Sequence, residues 1–342
     1  MTDGAEVITE DGISKICDVS FTRKRNNIKD VPPAEWKPNS IVCITGQTYL
    51  LDRFFREQAP HLTSPIILLT IEMDFLHTTT QMATTPFVKK WYTCKSRHEL
   101  SHLSRHAAEA LSCPCPIHPR TSRVSTPCPL TAGNKPCSMH VFTGIPEGLN
   151  KDRHGAAMSK FIQDRDTERP KQENMLLINF TPHKGNKERQ HVMDLGKTAW
   201  ASFAKIVQFK KGGRSIVKSN TDFSGAIPVD TTALNWYKTL ASYKFVVSPR
   251  GKGEDCHRTW EALYVGAIPI MRKSCISDLF VGLPVLIVDH WENITLPLLE
   301  AFWAKRHVYS TDMGKLKLSY WREKILAAKA LPYLGPAQIV NG

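Results

Sequence analysis

The sequence predicts an α/β protein made of two halves, each built around a parallel sheet. Apolar runs of strand length alternate with segments of helical periodicity, which is typical of parallel strands covered on both faces. The alternation occurs twice along the 342 residues, and a charged stretch at 151–174 separates the two series. A chain of this length forms two domains more often than one.

The composition is that of a soluble globular protein with a basic surface. The chain is 42% hydrophobic and 23% charged, and 45 Lys and Arg against 32 Asp and Glu give a net charge of +13. Such a surface favours anionic partners, namely nucleic acid, anionic lipid or a phosphorylated substrate. A solvated basic face without a partner is an equally open interpretation.

The first half begins after a stretch of weak periodicity at 1–38, which predicts a tail and linker. An apolar strand, "SIVCIT", then leads into a helical pattern at Leu50, Leu51, Phe54 and Phe55. A second buried strand, "SPIILLTIEMD", ends at Asp74, and "MHVFTGIPEGLN" supplies a third. We expect an α/β domain over 39–165.

A Cys/Pro-rich insertion interrupts this domain at about 109–140. Its cysteines are Cys113, Cys115, Cys128 and Cys137. A structural zinc site with His118 or His140 is one interpretation, but Cys-x-Cys is tighter than the usual knuckle spacing and no second close pair follows. A flexible insertion with free thiols is the favoured interpretation.

The second half begins at "MLLINF" and extends over 166–310. Its pattern predicts a helix near 187–204, a strand at "KIVQF", a helix near 233–241 and a strand at "YKFVVS". A further helix and two more strands, "AIPIM" and "PVLIV", follow, and 311–342 predicts a C-terminal helix. The stretch at 151–174 has few apolar residues and predicts an interdomain connection.

The most polar chemistry of the chain follows the strand "YKFVV". Ser248 begins a loop in which Gly251 and Gly253 permit tight turns and close approach of a ligand. Asp255 is a candidate N-cap for the next helix, and Gly266 is a suitable C′ residue. A helix N-terminus behind a glycine loop presents free N–H groups and a partial positive charge, which suits a phosphate.

Charged side chains converge on this loop and helix. Arg250, Lys252 and Arg258 supply cations, and arginine can hold phosphate with two hydrogen bonds. His257, Arg258 and Glu261 fall on one side of the helix by their spacing. The carboxylate of Glu261, one turn into the helix, is placed to accept hydrogen bonds from sugar hydroxyls. Cations at the loop with this acid behind them therefore favour a sugar nucleotide over a bare phosphate. The alternative is a surface ion pair between Arg258 and Glu261.

The stretch "SPRGKGEDCHRTWEALYVGAIPI" closely resembles the signature of the exostosin-like glycosyltransferases. "LLINFTPHKGNKERQ" resembles the segment that opens the second domain of that family, and the whole likeness covers roughly 40–325. The Cys/Pro-rich insertion departs from the family's pattern.

The resemblance implies a GT-B architecture, in which two Rossmann-like domains face each other across a cleft and the second holds the donor. It implies transfer of a glycosyl group from a nucleoside-diphosphate sugar to an acceptor hydroxyl, on a glycan or glycoprotein. It also implies that no metal or other cofactor is needed.

Two candidate residues lie outside the central stretch. Asp74 ends a strand and is a candidate acceptor-side base, although a loop-capping aspartate is equally open. Arg189 is a candidate diphosphate ligand or a residue of a solvated helix face. The expected donor-binding set is therefore Arg189, Ser248, Arg250, Gly251, Asp255, His257, Arg258 and Glu261.

Two other functions stay open at this point. Residues 151–218 carry 15 Lys and Arg against 7 Asp and Glu, which also suits a nucleic-acid-binding protein, although no known nucleic-acid motif accompanies them. An inactive glycosyltransferase-like fold is the other. The sequence shows no signal peptide and no apolar stretch of membrane-spanning length. A soluble cytoplasmic protein is therefore the expectation, or a Golgi-lumenal one if an N-terminal anchor precedes this chain.

Overall fold

The computed structural model of the chain divides into two compact units. We call 16–145 with 323–342 the five-stranded unit, and 1–15 with 146–322 the seven-stranded unit. The structure describes residues 7–22, 33–46, 48–71, 87–93, 142–149, 151–167, 171–182, 186–210, 214–218, 227–229, 233–251, 253–274 and 276–333.

The α/β class is confirmed by two sheets that are parallel over most of their width. The five-stranded sheet is parallel throughout, and its strands stand in the order of the chain. Its strands are β1 (Val19–Thr22), β2 (Ser40–Thr45), β3 (Ile66–Ile71), β4 (Val88–Thr93) and β5 (Phe142–Gly144). Buried side chains of β2 and β3 pack against the helix at 48–57, as the continuous apolar runs predict.

The helices follow the predicted periodicity. They are α1 (Glu10–Ser14), α2 (Thr48–Glu57), α3 (Lys151–Thr167), α4 (Lys187–Lys197), α5 (Ala233–Ala241), α6 (His257–Val265), α7 (Leu296–Ala304), α8 (Arg306–Tyr309) and α9 (Leu318–Ala327). None of those in the described part of the chain is long and apolar enough to cross a membrane.

The seven-stranded sheet has the order β12-β11-β10-β6-β7-β8-β9. Its first five strands in that order are parallel, whereas β8 and β9 pair antiparallel at one edge. The strands are β6 (Asn174–Ile178), β7 (Ala204–Lys210), β8 (Arg214–Lys218), β9 (Ile227–Val229), β10 (Tyr243–Val247), β11 (Ile268–Arg272) and β12 (Leu286–Val288). The chain runs from β6 outward to β7, and then returns to place β10, β11 and β12 on the other side of β6.

The unit boundaries differ from the predicted domains at the N-terminus. Val19–Thr22 is not part of a tail, because it pairs in parallel with β2. Val7, Ile8 and Ile13 are buried in the seven-stranded unit, where Ile8 N–H donates to the Tyr264 hydroxyl at 2.7 Å. These segments are too short and too sparsely apolar to show a period by themselves.

The predicted connection at 151–174 is also different in the structure. Residues 151–167 form α3, which belongs to the seven-stranded unit and not to the first domain predicted over 39–165. Met158, Phe161 and Ile162 form a narrow apolar stripe that is buried against that unit. Three apolar residues among many charges are easily overlooked, yet they are enough to pack one face of a helix.

A disulfide joins Cys17, just before β1, to Cys43 in β2, with a Cα–Cα distance of 5.8 Å. The sequence did not predict this pair. The cysteines of the 109–140 insertion, together with His118 and His140, lie outside the described residues.

Candidate functional site

The candidate site lies where the strand order of the seven-stranded sheet reverses. β6 and β10 are parallel neighbours, and the chain leaves them in opposite directions across the sheet. In open α/β sheets, ligands bind beyond the carboxyl ends of the strands at such a reversal. Asn179 and Phe180 follow β6 at this edge, and Ser248 to Gly251 follow β10.

Two arginines flank the buried ring of Phe180. The Cζ atom of Arg258, on α6, lies 5.5 Å from the ring centroid, and that of Arg189, on α4, lies 5.6 Å from it. Phe180 is only 2% exposed. An aromatic face attracts a guanidinium through its quadrupole, so the ring fixes both cations near one another.

Arg258 has a donor that no group among the described residues accepts. Its Nε donates to Asn179 Oδ1 at 2.7 Å, whereas its Nη1 is buried and has no hydrogen-bond partner among the described residues. Burial lowers the pKa of Arg258, and the nearby charge of Arg189 acts in the same direction. A buried guanidinium nitrogen without an acceptor is costly, which indicates a place for an external anion.

Arg189 is held by the loop that follows β10. Its Nε donates to the backbone carbonyl of Arg250 at 3.0 Å, and Asn186 Nδ2 donates to the same oxygen at 3.2 Å. Asn186 is also the N-cap of α4, with its Oδ1 accepting from Arg189 N–H. The cap therefore couples the start of α4 to the loop that carries Arg250.

Gly251 lies in a tight turn, in which its N–H donates to the Gly253 carbonyl at 3.0 Å, and it approaches Arg189 closely without a left-handed backbone. The glycines of the described residues with positive φ do not include it. A Cβ at residue 251 would lie 3.2 Å from Arg189 Nη2 and 3.6 Å from the sulfur of Cys256. A side chain there would crowd the guanidinium.

Arg250 differs from the other two arginines because its charge is already compensated. Its Nε lies 3.0 Å from Glu188 Oε2, and its Nη1 lies 3.2 Å from Glu254 Oε1. Glu188 also lies 3.5 Å from Arg272 Nε. No carboxylate forms an ion pair with Arg189 or Arg258 among the described residues. Because neither forms an ion pair, Arg189 and Arg258 are better anion ligands than Arg250.

The hydroxyl of Ser248 is buried and lies 2.9 Å from the hydroxyl of Thr259 on α6. This contact fixes the end of β10 to the helix.

The expectation that Asp255 caps α6 is wrong. The N-cap is Cys256, which has no side-chain capping bond, and Asp255 lies one residue earlier with its carboxylate buried. That carboxylate accepts from Trp260 Nε1 and from the backbone N–H groups of Cys256 and Glu147. The Asp255 side chain thus fastens the segment at 146–149 to the start of the helix.

The buried Asp255 carboxyl binds its proton unusually tightly. Burial raises the pKa of Asp255 to about 7, and the charge of Glu147 acts in the same direction against three hydrogen bonds that lower it. An unfolded aspartate has a pKa of about 4. Because the folded pKa is the higher one, this group stabilises the fold most below pH ~4, and that contribution is lost as the pH rises toward ~7.

Asp255→Asn should therefore remove a pH-dependent loss of stability. Between pH ~4 and ~7, the free energy of unfolding of the wild type should fall more steeply than that of the variant, by at most ~1.4 kcal/mol per pH unit. Urea unfolding at several pH values measures the slopes. Asp278→Asn, at an exposed position, is the control and should leave the slope unchanged. Equal slopes for wild type and Asp255→Asn would contradict the raised pKa.

His257 is engaged by the same segment and is not free for a ligand. Its Nδ1 donates to the Gly148 carbonyl at 2.8 Å, and its Nε2 lies 3.5 Å from Glu147 Oε1. Glu147 itself is only 4% exposed. His257 therefore positions the start of α6 through both ring nitrogens.

Glu261 lies one turn into α6 and is partly exposed. Its Oε2 accepts a hydrogen bond from Trp236 Nε1 at 3.3 Å. The alternative of a surface ion pair with Arg258 is wrong, since no such pair is among the ion pairs of the described residues. A carboxylate has several lone pairs, so Glu261 can accept further hydrogen bonds besides the one from Trp236.

Several predicted residues cannot be placed. Asp74 and Lys252 lie outside the described residues, so the role of Asp74 as a base stays a prediction. In the part of the chain that the structure describes, no group of three or more His, Cys, Asp or Glu residues could hold a metal ion. The one Asp-x-Asp pair of the sequence is Asp164 and Asp166 on α3, where Asp164 pairs with Lys160.

The sequence analysis did not identify Asn179, Phe180, Asn186 or Glu188 as site residues. The rule that ligands meet the carboxyl ends of parallel strands would have drawn attention to the two residues after β6. No sequence signal joins Glu188 to Arg250, because the two residues are far apart in the chain.

Comparison with known proteins gives only distant structural likenesses. No family model matches the chain, and no curated protein matches it. Similar solved structures include the pneumococcal O-GlcNAc transferase GtfA in complex with UDP and GlcNAc, which is 9% identical over 89% of this chain and 56% of its own, with a TM-score of 0.33.

Two further solved structures are equally distant. A GtfA/B complex is 10% identical over 90% of this chain and 56% of its own, with a TM-score of 0.35. Anabaena Alr3699/HepE in complex with UDP and glucose is 9% identical over 85% of this chain and 76% of its own, with a TM-score of 0.33. The chain spans just over half the length of the first two structures. These identities and TM-scores are too low to assign an activity to this chain.

Proposed function

We propose that the protein is a glycosyltransferase that moves a sugar from a nucleoside-diphosphate sugar to an acceptor hydroxyl of a glycan or glycoprotein. The observation that carries the proposal is the pair of uncompensated arginines on Phe180, with the buried Nη1 of Arg258 lacking a partner. A diphosphate supplies several acceptor oxygens and two or more negative charges, which matches these donors.

The resemblance of 246–271 to exostosin-like glycosyltransferases supports the same proposal. So does the position of the site at the reversal of strand order, where nucleotides bind in related α/β sheets. The predicted cleft between two Rossmann-like domains, with the acceptor on the side of Asp74, belongs to this proposal as well.

The residues of the site have distinct roles in the proposed transfer. The acceptor hydroxyl oxygen attacks C1 of the donor sugar, the bond from C1 to the phosphate oxygen breaks, and the hydroxyl proton passes to a base, for which Asp74 is the candidate. Arg258 and Arg189 stabilise the charge that develops on the leaving diphosphate. Ser248, Asp255 and His257 act indirectly, because their contacts fix the loop and the start of α6. Arg250 holds Arg189 through its backbone carbonyl.

Glu261 should bind hydroxyls of the donor. Its carboxylate lies on the same helix as Arg258, one turn further in, and it accepts from Trp236. Glu261→Gln should raise the donor KM several-fold, because an amide is a weaker acceptor for hydroxyl groups than a carboxylate. The pH–rate profile should stay unchanged. A loss of kcat with intact donor affinity, together with loss of the acid limb, would instead identify Glu261 as the base.

Turnover should not require a divalent metal, since the two arginines can take the place of a cation at the diphosphate. Transfer measured in EDTA should equal transfer in manganese within about twofold, a difference of less than ~0.5 kcal/mol in barrier. Activity that disappears in EDTA and returns with manganese would contradict this.

A nucleotide-sugar screen tests the proposed function directly. UDP, GDP and their sugars should raise the melting temperature of the purified chain, because a ligand that binds only the folded state at 100 times its Kd stabilises it by ~2.7 kcal/mol. Release of nucleoside diphosphate in the presence of acceptor glycans then measures transfer. Binding of generic DNA with no response to any nucleotide sugar would favour the nucleic-acid alternative. Nucleotide binding without transfer would indicate an inactive fold.

A further inference from the structure

The chain contains two Asn-x-Thr motifs, at Asn179 and Asn293. Such motifs are acceptors for N-linked glycans, but only where the asparagine projects into solvent in the folded protein. The two asparagines have opposite environments in the structure, which separates them as modification sites.

Asn179 cannot carry a glycan in the folded protein. It is only 4% exposed, and its Oδ1 accepts from Arg258 Nε at 2.7 Å. The carboxamide lies against the arginine of the candidate site, where a sugar on Nδ2 would have no space.

Asn293 is exposed, and its Nδ2 is the atom to which an N-linked glycan attaches. It ends a short 3-10 turn at 291–293, and its Oδ1 accepts from the His290 backbone N–H at 2.9 Å. No hydrogen bond joins its Nδ2 to any residue that the structure describes. N-glycosylation replaces one hydrogen on Nδ2 and leaves the carbonyl oxygen in place. The cap made by Oδ1 is therefore compatible with the modification.

The threonine of this motif is also exposed. Thr295 is the N-cap of α7, where its hydroxyl accepts from Leu298 N–H at 3.3 Å. Both ends of the motif therefore lie at the surface, on a turn between β12 and α7.

The disulfide between Cys17 and Cys43 is an independent observation about the compartment. Disulfides persist in oxidising compartments, such as the lumen of the secretory pathway, and are rare in a reducing cytosol. The secretory lumen is also where asparagine-linked glycans are added. Of the cysteines that the structure describes, the remaining one, Cys256, is a buried free thiol in the seven-stranded unit.

We propose that the protein folds in the secretory lumen and carries an N-linked glycan on Asn293, with Asn179 unmodified. In the reaction, Nδ2 of Asn293 forms a bond to C1 of a polyprenyl-diphosphate-linked oligosaccharide, the bond from C1 to the diphosphate oxygen breaks, and Nδ2 loses one proton. When Cys17 and Cys43 form their disulfide, they lose two electrons and two protons, which the disulfide of a lumenal thiol oxidase accepts. This proposal does not depend on the glycosyltransferase proposal.

The test is peptide mapping of the full chain isolated from its source cells, and of the chain produced behind a secretory leader in eukaryotic cells. Enzymatic removal of N-linked glycans should lower the mass and convert Asn293 to Asp in both preparations. The mass shift should remain in Asn179→Gln and disappear in Asn293→Asp, which keeps the capping oxygen but lacks Nδ2. An unmodified Asn293 in the source-cell protein, or a shift that persists in Asn293→Asp, would overturn the proposal.

Non-reducing digestion of the same preparations tests the compartment. It should yield one cross-linked peptide pair containing Cys17 and Cys43, which disappears in Cys17→Ser. Thr295→Ser, which keeps both the motif and the cap, should still be glycosylated. Free Cys17 and Cys43 thiols in the source-cell protein would overturn the assignment to the secretory lumen.

Discussion

Arg258→Ala should weaken binding of UDP or GDP by about ten- to a hundredfold. Hydrogen bonds to charged groups are worth about 1.5–3 kcal/mol, and the buried Nη1 of Arg258 has no acceptor among the residues that the structure describes. Isothermal calorimetry on the purified variant measures the affinity. Arg258→Lys should recover only part of the loss, because an ammonium group lacks the planar fork of donors.

Two further arginine variants serve as controls with the same change in net charge. Arg250→Ala should weaken binding less than Arg258→Ala, because Glu188 and Glu254 already compensate the charge of Arg250. Arg306→Ala should leave the affinity unchanged, because Arg306 stacks on Trp303 in another part of the unit. Unchanged affinity in Arg258→Ala would refute the placement of the diphosphate, and a larger loss in Arg250→Ala would exchange the roles of the two residues.

Phe180→Leu should lower nucleotide affinity about tenfold with a modest loss of stability. The ring contacts both Arg189 and Arg258, and each cation–π contact is worth ~0.5–2 kcal/mol, so its loss removes one of the contacts that orient each guanidinium group. Phe180→Ala should cost ~3–5 kcal/mol in the free energy of unfolding, because it also leaves a cavity in the core. Calorimetry of the folded leucine variant, together with urea unfolding of both, checks these values.

Phe161 provides the matched control for this prediction. It is as buried as Phe180, belongs to the same unit, and packs edge-on against Tyr237 with ring centroids 6.4 Å apart. Phe161→Leu should lower stability by a similar amount and leave nucleotide affinity unchanged. If both leucine variants bind equally well, Phe180 is only a core residue and not a support for the cations.

Much of the fold could be predicted from local patterns. The strands β6, β10 and β11 and the helix α6 appear where continuous apolar runs and helical spacing predict them, and Gly266 ends α6 with φ of 83°. These features depend on residues close together in the chain. The N-terminal strand Val19–Thr22 and the helix α3 were not predicted, because each depends on packing against distant segments that no local period reveals.

The position of the candidate site was also predictable, but not the roles of its residues. The sequence alone determined that cations gather at a glycine-containing loop after a buried strand, and that a helix begins behind it. Only the tertiary structure decided which of these cations is paired with a carboxylate and which is not. Glu188, contributed by α4, compensates Arg250, while Phe180 and Asn179, contributed by the end of β6, fix Arg258 with an unused donor.

The physical reason is that electrostatic compensation depends on distance in space, which the sequence does not contain. The interaction of two charges falls with their separation and with the dielectric of their surroundings, so a carboxylate 3 Å from a guanidinium neutralises it and one farther off in water does not. For the same reason the sequence does not distinguish Arg250 from Arg258, whereas the fold pairs Arg250 with two carboxylates and, among the described residues, gives Arg189 and Arg258 no ion pair.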